Sequence, residues 1–337
     1  MAYTTIDNPE LYFQTKLYTG NGSTQSITLD GDENMSPNFV WIKSRSNAQE
    51  NILFDTVRGA TNWLQSDNTS AEADQNTSLT SFDSDGFSLA DIGEVNANTY
   101  TYVAWCWKES ADSGMDIVSY TGNGSTRTVS HSLSAVPKVI ICKSRGNTDG
   151  STSAARNWAV YHAGIASDAE TDVMTLDTNG ASSDDNAPWN DTAPTSSVWS
   201  MGNDDRTNLS NLTYIAYLFA PKQGYSAMGT YKGNGNTDGP FIFCGFRPAW
   251  ILLKMIGGTY NWMIYDAKRE GYNVDNDHLK ANNSDQEGTS DDLDILSNGF
   301  KMRTSGVGEN SSGEPFIWMA FAEAPFVNSK GVPANAR

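Results

Sequence analysis

LYTGNGST stands at residues 17–24, SYTGNGST at 119–126 and TYKGNGNT at 230–237. Gly20, Gly122 and Gly233 therefore open three near-identical glycine turns, about one domain length apart. GNG supplies the positive-φ positions that a tight turn between strands demands. A single match could arise by chance. Here, four further landmarks follow each turn in the same order.

The second landmark is a proline before an apolar run that ends in a basic residue. It reads SPNFVWIKSR at 36–45, VPKVIICKSR at 136–145 and RPAWILLKM at 247–255, which aligns Lys43, Lys143 and Lys254. The third carries aromatics: ILFD at 52–55, NWAVYH at 157–162 and NWMIYD at 261–266. The fourth reads SDGFSL at 84–89, SVWSMG at 197–202 and SNGFKM at 297–302. The last reads YTYVAWCW at 100–107, LTYIAYLF at 212–219 and PFIWMAF at 315–321.

These short runs are rich in Val, Ile, Tyr, Trp and Phe, and Gly, Asn, Asp, Ser and Pro separate them, the pattern of strands joined by turns. In YTYVAWCW one face carries Tyr100, Tyr102, Ala104 and Cys106, and the other carries Val103, Trp105 and Trp107. Both faces are apolar, as in a strand in the middle of a fold. No convincing amphipathic helix stands out. The expected fold is all-β: three tandem β-sandwich repeats of jelly-roll or concanavalin-like form, at residues 16–110, 116–224 and 228–326. Each is long enough for its own core, so the chain reads as closely coupled beads. Residues 1–15 form a candidate docking arm and 327–337 a candidate docking tail. Neither has a partner in the repeats.

Of the 337 residues, 40 are acidic and 22 basic, a net charge of −18. Such a chain repels phosphate backbones, which disfavours nucleic acid as a partner. Cys106, Cys142 and Cys244 are odd in number and lie in apolar runs, so buried free thiols are expected. The first residues carry no basic and apolar leader, and no apolar stretch is long enough for a membrane helix. Membrane insertion is not expected.

The succession YTGNGSTQSI, FVWIKSR, LFDTVRGATNWL, SFDSDGFSL and YVAWCWK resembles a repeated domain of unknown function found in virion structural proteins of marine tailed bacteriophages. The ending IWMAFAEAPFVNSKGVPANAR is similar to the C-terminus of those proteins, and the resemblance covers essentially the whole chain. It implies a virion component, tail-fibre-like or capsid-decorating, made in the bacterial host cytoplasm. Other virion proteins and further copies of the same chain are the implied partners. No established active site comes with the resemblance. The middle repeat departs from it, with SVWSMG in place of the DGF-type turn and an insert at 179–195.

Chemistry is sparse. His131, His162 and His278 fall at positions that suggest no catalytic or metal-binding convergence. Acidic pairs such as Asp83 with Asp85, Asp184 with Asp185, Asp275 with Asp277, and the Asp291–Asp292 pair read as solvated turns. The loop DGDEN at 30–34 offers oxygen ligands to calcium, but the spacing of a complete calcium loop is missing. No cofactor is expected, and Ca2+ is the one metal worth testing. The KSR basic residues read as strand-end partners of loop carboxylates. Trp63, Trp189 and Tyr260 stand among polar residues and are the candidate ligand-binding aromatics. The expectation is a non-enzymatic structural protein acting by packing and surface recognition. A carbohydrate-binding adhesin that recognises host surface glycans is the alternative, and a glycan-degrading enzyme a more distant one.

Overall fold

The computed structural model describes residues 3–148 and 153–335. The chain is all-β. Its first third contains β1 (Phe13–Thr19), β2 (Gln25–Thr28), β3 (Phe39–Ser44), β4 (Ile52–Asp55), β5 (Asn62–Gln65), β6 (Ala73–Asp74), β7 (Leu79–Asp83), β8 (Gly86–Leu89), the helical turn α1 (Gly93–Asn96) and β9 (Thr101–Trp107). The middle third contains β10 (Met115–Thr121), β11 (Arg127–Ser130), β12 (Val139–Asn147), β13 (Ala159–His162), β14 (Asp172–Thr175), β15 (Ser183–Asp184), β16 (Val198–Met201) and β17 (Leu212–Phe219). The last third contains β18 (Ser226–Lys232), β19 (Phe241–Phe243), β20 (Phe246–Met255), β21 (Met263–Asp266), β22 (Asp275–Lys280), β23 (Gly288–Leu296), β24 (Gly299–Met302), α2 (Val307–Asn310) and β25 (Pro315–Pro325).

Main-sheet order is β1-β9-β3-β4-β5-β6 in the first third and β10-β17-β12-β13-β14-β15 in the middle. The last third begins the same way, β18-β25-β20-β21-β22, and continues without a break through β23-β24-β19. The first third keeps its smaller sheet, β2-β8-β7, separate, and the middle third reduces it to the pair β11-β16. All these pairings are antiparallel.

The glycine turns are held the same way in each third. A buried asparagine, Asn96, Asn208 or Asn310, accepts from the backbone N–H of the turn's own Asn, at 3.0, 3.0 and 2.9 Å. Its amide donates to two carbonyls, Ser23 and Ala90, Ser125 and Gly202, or Asn236 and Thr304. The turn cannot vary around this clamp. A Cβ on Gly20 would lie 2.2 Å from the Ala97 carbonyl oxygen, and Gly22 sits at φ 64°.

The two apolar faces of the central strands have separate destinations. Tyr102, Ala104 and Cys106 of β9 pack into the core of the first third, with Ile27, Phe87 and Ile52. Val103, Trp105 and Trp107 point the other way, into a core shared by all three thirds. Likewise, Phe316, Trp318 and Ala320 of β25 fill the core of the last third, while Ile317, Met319 and Phe321 join the shared one. Trp107 meets Phe321 at 5.7 Å and Trp250 at 5.3 Å, and Phe219 meets Phe321 at 5.8 Å. The thirds are therefore not beads. They lie around one common apolar centre, and each lends it a full sheet face.

The two ends differ: the first is packed into the body, whereas the tail is tied down by surface hydrogen bonds and leaves residues 329–333 exposed. Residues 3–15 pack onto the body: Thr4, Ile6 and Phe13 are buried, the Tyr3 hydroxyl donates to the Gly245 carbonyl at 2.8 Å, and Phe13 onward is β1. In the tail, Ser329 bonds Asp7, and the Asn335 carbonyl accepts from Arg247 at 2.9 Å. Met1, Ala2, Ala336 and Arg337 of these two segments lie outside the described residues, as do the side chains of Asp291 and Asp292. The insert at 179–195 keeps most of its residues exposed but tucks its one tryptophan inward. Trp189 is buried within it and donates to the Asp172 carbonyl at 3.1 Å.

Candidate functional site

The chemistry-bearing side chains gather at the three seams where the thirds meet. Between the first and middle thirds, Asp55 Oδ2 accepts from Arg58 Nε at 2.5 Å and from the Tyr217 hydroxyl at 2.7 Å. Arg58 reaches Glu72 at 3.3 Å, and Arg145 of the middle third closes on Glu72 through two bonds of 2.8 and 2.9 Å. Between the last and first thirds the same device recurs. Asp266 Oδ2 accepts from Arg269 Nε at 2.6 Å and from the Trp105 indole at 2.9 Å. Arg269 reaches Glu287 at 3.2 Å, and Arg45 closes on Glu287 at 2.8 Å.

The first network holds two carboxylates and two guanidiniums, so its formal charge cancels, whereas in the second Arg45 also meets Asp277 at 3.5 Å, a third carboxylate against two guanidiniums. The Asp and the inner Arg side chains have no exposure. Burial alone would lower the Arg58 pKa, but the adjacent Asp55 carboxylate, with Glu72, outweighs it and raises it.

The seam between the middle and last thirds has lost every member of this set. His162 stands in the place of Asp55 and Asp266, and Ile165 in that of Arg58 and Arg269. Ser182 replaces Glu72 and Glu287, Ile256 replaces Arg45 and Arg145, and Met319 replaces Trp105 and Tyr217. The backbone contact survives: Ser182 N–H donates to the Ile256 carbonyl at 2.9 Å, as Glu72 does to Arg145 at 2.8 Å and Glu287 to Arg45 at 2.9 Å. Met319 has no hydrogen to donate. His162 Nε2 instead donates to the Trp318 carbonyl at 3.1 Å, and its Nδ1 accepts from Gly164 N–H at 3.0 Å. Burial lowers the His162 pKa to about 4. Protonation would also set an N–H against the Gly164 donor. Beside this apolar seam lies an open groove of about 390 Å³, lined by Ile165, Thr230, Tyr231, Lys232, Ile256 and Pro315 among others.

A third contact runs round the whole ring. The Trp158 indole donates to the Gln65 carbonyl at 2.8 Å, and the Trp262 indole to the Thr175 carbonyl at 3.0 Å. At the remaining seam Asn51 takes the indole's place and donates to the Lys280 carbonyl at 3.1 Å. Trp41, on the neighbouring strand, donates in turn to Asn51 at 3.3 Å.

The predicted ligand-binding aromatics do not come together. Trp63 lies in β5 and is 7% exposed, and Trp189 is 2% exposed and packs edge-on to Tyr161. The expected loop exposure of these two rings is therefore corrected. Tyr260 is 38% exposed and rests over Gly308. Lys43, Lys143 and Lys254 are fully buried and donate to backbone carbonyls, including Gln49, Thr69 and Arg156, and Gly258. Burial pulls their pKa down to about 8. Of the KSR basic residues, Arg45 and Arg145 do pair with carboxylates, Glu287 and Glu72, across the seams, whereas the lysines bond carbonyls.

The histidines stay apart, with His131 at the Thr195 carbonyl and His162 in its seam. All three cysteines are buried and free, and burial raises their thiol pKa. Among the described residues no group of three or more His, Cys, Asp or Glu side chains is placed to hold a metal ion. No described helix is long and apolar enough to cross a membrane.

The structure thus defines an all-β protein whose sheets meet through buried seams, two of them built on charged networks and one without. The chain belongs to the DUF7483 family, a domain of unknown function, which matches residues 8–325. That match spans all three thirds as one unit. No curated protein matches the chain.

Proposed function

We propose that this is a structural protein on the exterior of a bacteriophage particle, built from three tandem copies of one β-sandwich unit and acting by packing and surface recognition. The observation that carries this reading is the closed body itself. Two buried charged networks and two buried indoles join the thirds: Asp55–Arg58–Glu72–Arg145, Asp266–Arg269–Glu287–Arg45, and Trp158 and Trp262. A fold whose thirds share one core beside their own and whose turns are clamped resists local opening, as a particle exposed to its surroundings requires.

Tail-fibre-like material and a capsid-decorating layer both fit. The host-glycan adhesin reading loses two of its three aromatics to the core and keeps Tyr260. Mass spectrometry of purified, density-banded particles tests the proposal. Many copies per particle are expected. Absence of the chain from particles, with the protein present in the infected cell lysate, would overturn it.

A further inference from the structure

The three thirds supply internal controls for the surface. In each, an edge strand of the smaller sheet turns one side chain inward: Ile27 opposite Phe87, Val129 opposite Trp199, and Ile242 opposite Phe300. The flanking positions point outward. They are Ser26 and Thr28 in β2, Thr128 and Ser130 in β11, and Phe241 and Phe243 in β19. Phe241 is 46% exposed and Phe243 58%. The fold does not demand phenylalanine there, because the same strand is built twice with hydroxyl side chains. Two exposed rings on a short edge strand are a liability unless something covers them.

The backbone and the charge indicate what the occupant is. β19 ends the sheet order, with β24 on one side only. Met302 N–H donates to the Pro240 carbonyl and Cys244 N–H to the Asn298 carbonyl, so the even-numbered residues face β24. By strand alternation the N–H and C=O of Phe241 and Phe243 face outward. Residues 239–246 carry no ionisable carboxylate or base, in a chain with 40 acidic side chains. This neutral window, bordered by the Asp238–Lys301 pair, adds no like-charge repulsion of its own between two such acidic molecules.

We propose that β19 is a self-association edge, at which two copies of this chain pair antiparallel across a two-fold axis at Ile242. In that register Phe241 of one copy is hydrogen-bonded opposite Phe243 of the other, twice over, and all four rings lie on one face as cross-strand aromatic pairs. Each half-exposed ring contributes on the order of 100 Å². Four rings total roughly 400 Å², well under a standard interface of about 1,200–2,000 Å². The contact is therefore weak between free molecules and becomes firm where many copies are held side by side.

This deepens the assembly reading above by naming one contact, but its test does not depend on finding the protein in a virion. The full chain is sedimented from micromolar to millimolar concentration, alongside the double variant F241S/F243T, which carries the residues found at the matching positions of β2. Wild type is expected to rise in average mass toward twice the chain mass, and the variant to stay at the chain mass with unchanged circular dichroism. Hydrogen exchange at high concentration should slow at the Phe241 and Phe243 amides. Wild type that stays at the chain mass throughout, a variant that associates equally well, or association without protection of those two amides would each overturn the proposal.

Discussion

The seam between the first and middle thirds and the seam between the middle and last thirds do the same job with opposite chemistry. The first buries Asp55, Arg58, Glu72, Arg145 and Tyr217, whereas the second puts His162, Ile165, Ser182, Ile256 and Met319 in their places. One backbone bond of 2.8 or 2.9 Å persists in both. Buried charge is therefore not what closes the ring, since an uncharged set closes it too. The five positions change as a set because removing one member of a buried network leaves the others desolvated and unpaired. The networks also exclude wrong pairings. Arg145 finds a carboxylate across its own seam, whereas the Ile256 seam offers none.

Asp55→Ala should break the comparison most sharply. Arg58 would stay buried with its nearest counter-charge gone, and Tyr217 would lose its acceptor. A loss of about 3–5 kcal/mol is expected, measured by denaturant unfolding. A loss below the effect of an ordinary surface change would remove the network from the account.

Transplanting the whole apolar set into the charged seam sharpens the contrast. The variant D55H/R58I/E72S/R145I/Y217M should fold and be neutral or more stable by up to about 4 kcal/mol, in line with other replaced buried ion pairs. Failure of the five-fold variant to fold, with D55A still folded, would show that the two seams are not interchangeable.

Acid should strike the apolar seam through His162. The unfolded histidine takes up its proton near 6.5 and the folded one at about 4. Between those values the unfolded state holds more protons, so stability falls as pH drops from 6.5 toward 4, by about 3 kcal/mol. His162→Gln can keep a donor to Trp318 and an acceptor for Gly164 without titrating. Unfolding free energies across that range should be flatter for H162Q than for wild type, and parallel slopes would contradict the assignment. The smallest effect is expected from Trp262→Phe, which removes one indole donor to the Thr175 carbonyl and should cost about 1 kcal/mol. Infrared or NMR shifts confined to that seam would locate it.

Much of this architecture is legible in the chain. The strand landmarks are local, and each is a short apolar run between turn formers. YTYVAWCW also announces its two buried faces, although periodicity alone cannot say that one belongs to a neighbour. Even the clamp has a readable signal: Asn96, Asn208 and Asn310 each stand six residues before an aromatic near the start of the final strand, Tyr102, Tyr214 or Phe316. So do the seams, in DTVR and DAKR against HAGI at 55–58, 266–269 and 162–165.

What could not be read is which distant residues meet. Arg45 and Glu287 are 242 positions apart, and no spacing rule links them. Trp63 misleads because a four-residue strand that begins with Asn62 and ends with Gln65 is too short to show alternation. Trp189 misleads because a loop can fold back over its own ring.

One core with three contributors should unfold as one body. Differential scanning calorimetry of the whole chain tests this directly. A single transition is expected, with calorimetric and van't Hoff enthalpies equal and D55A lowering it as a unit. Two or three separable transitions, with D55A moving only one of them, would mean that the thirds are independent domains and that the shared core does not couple them.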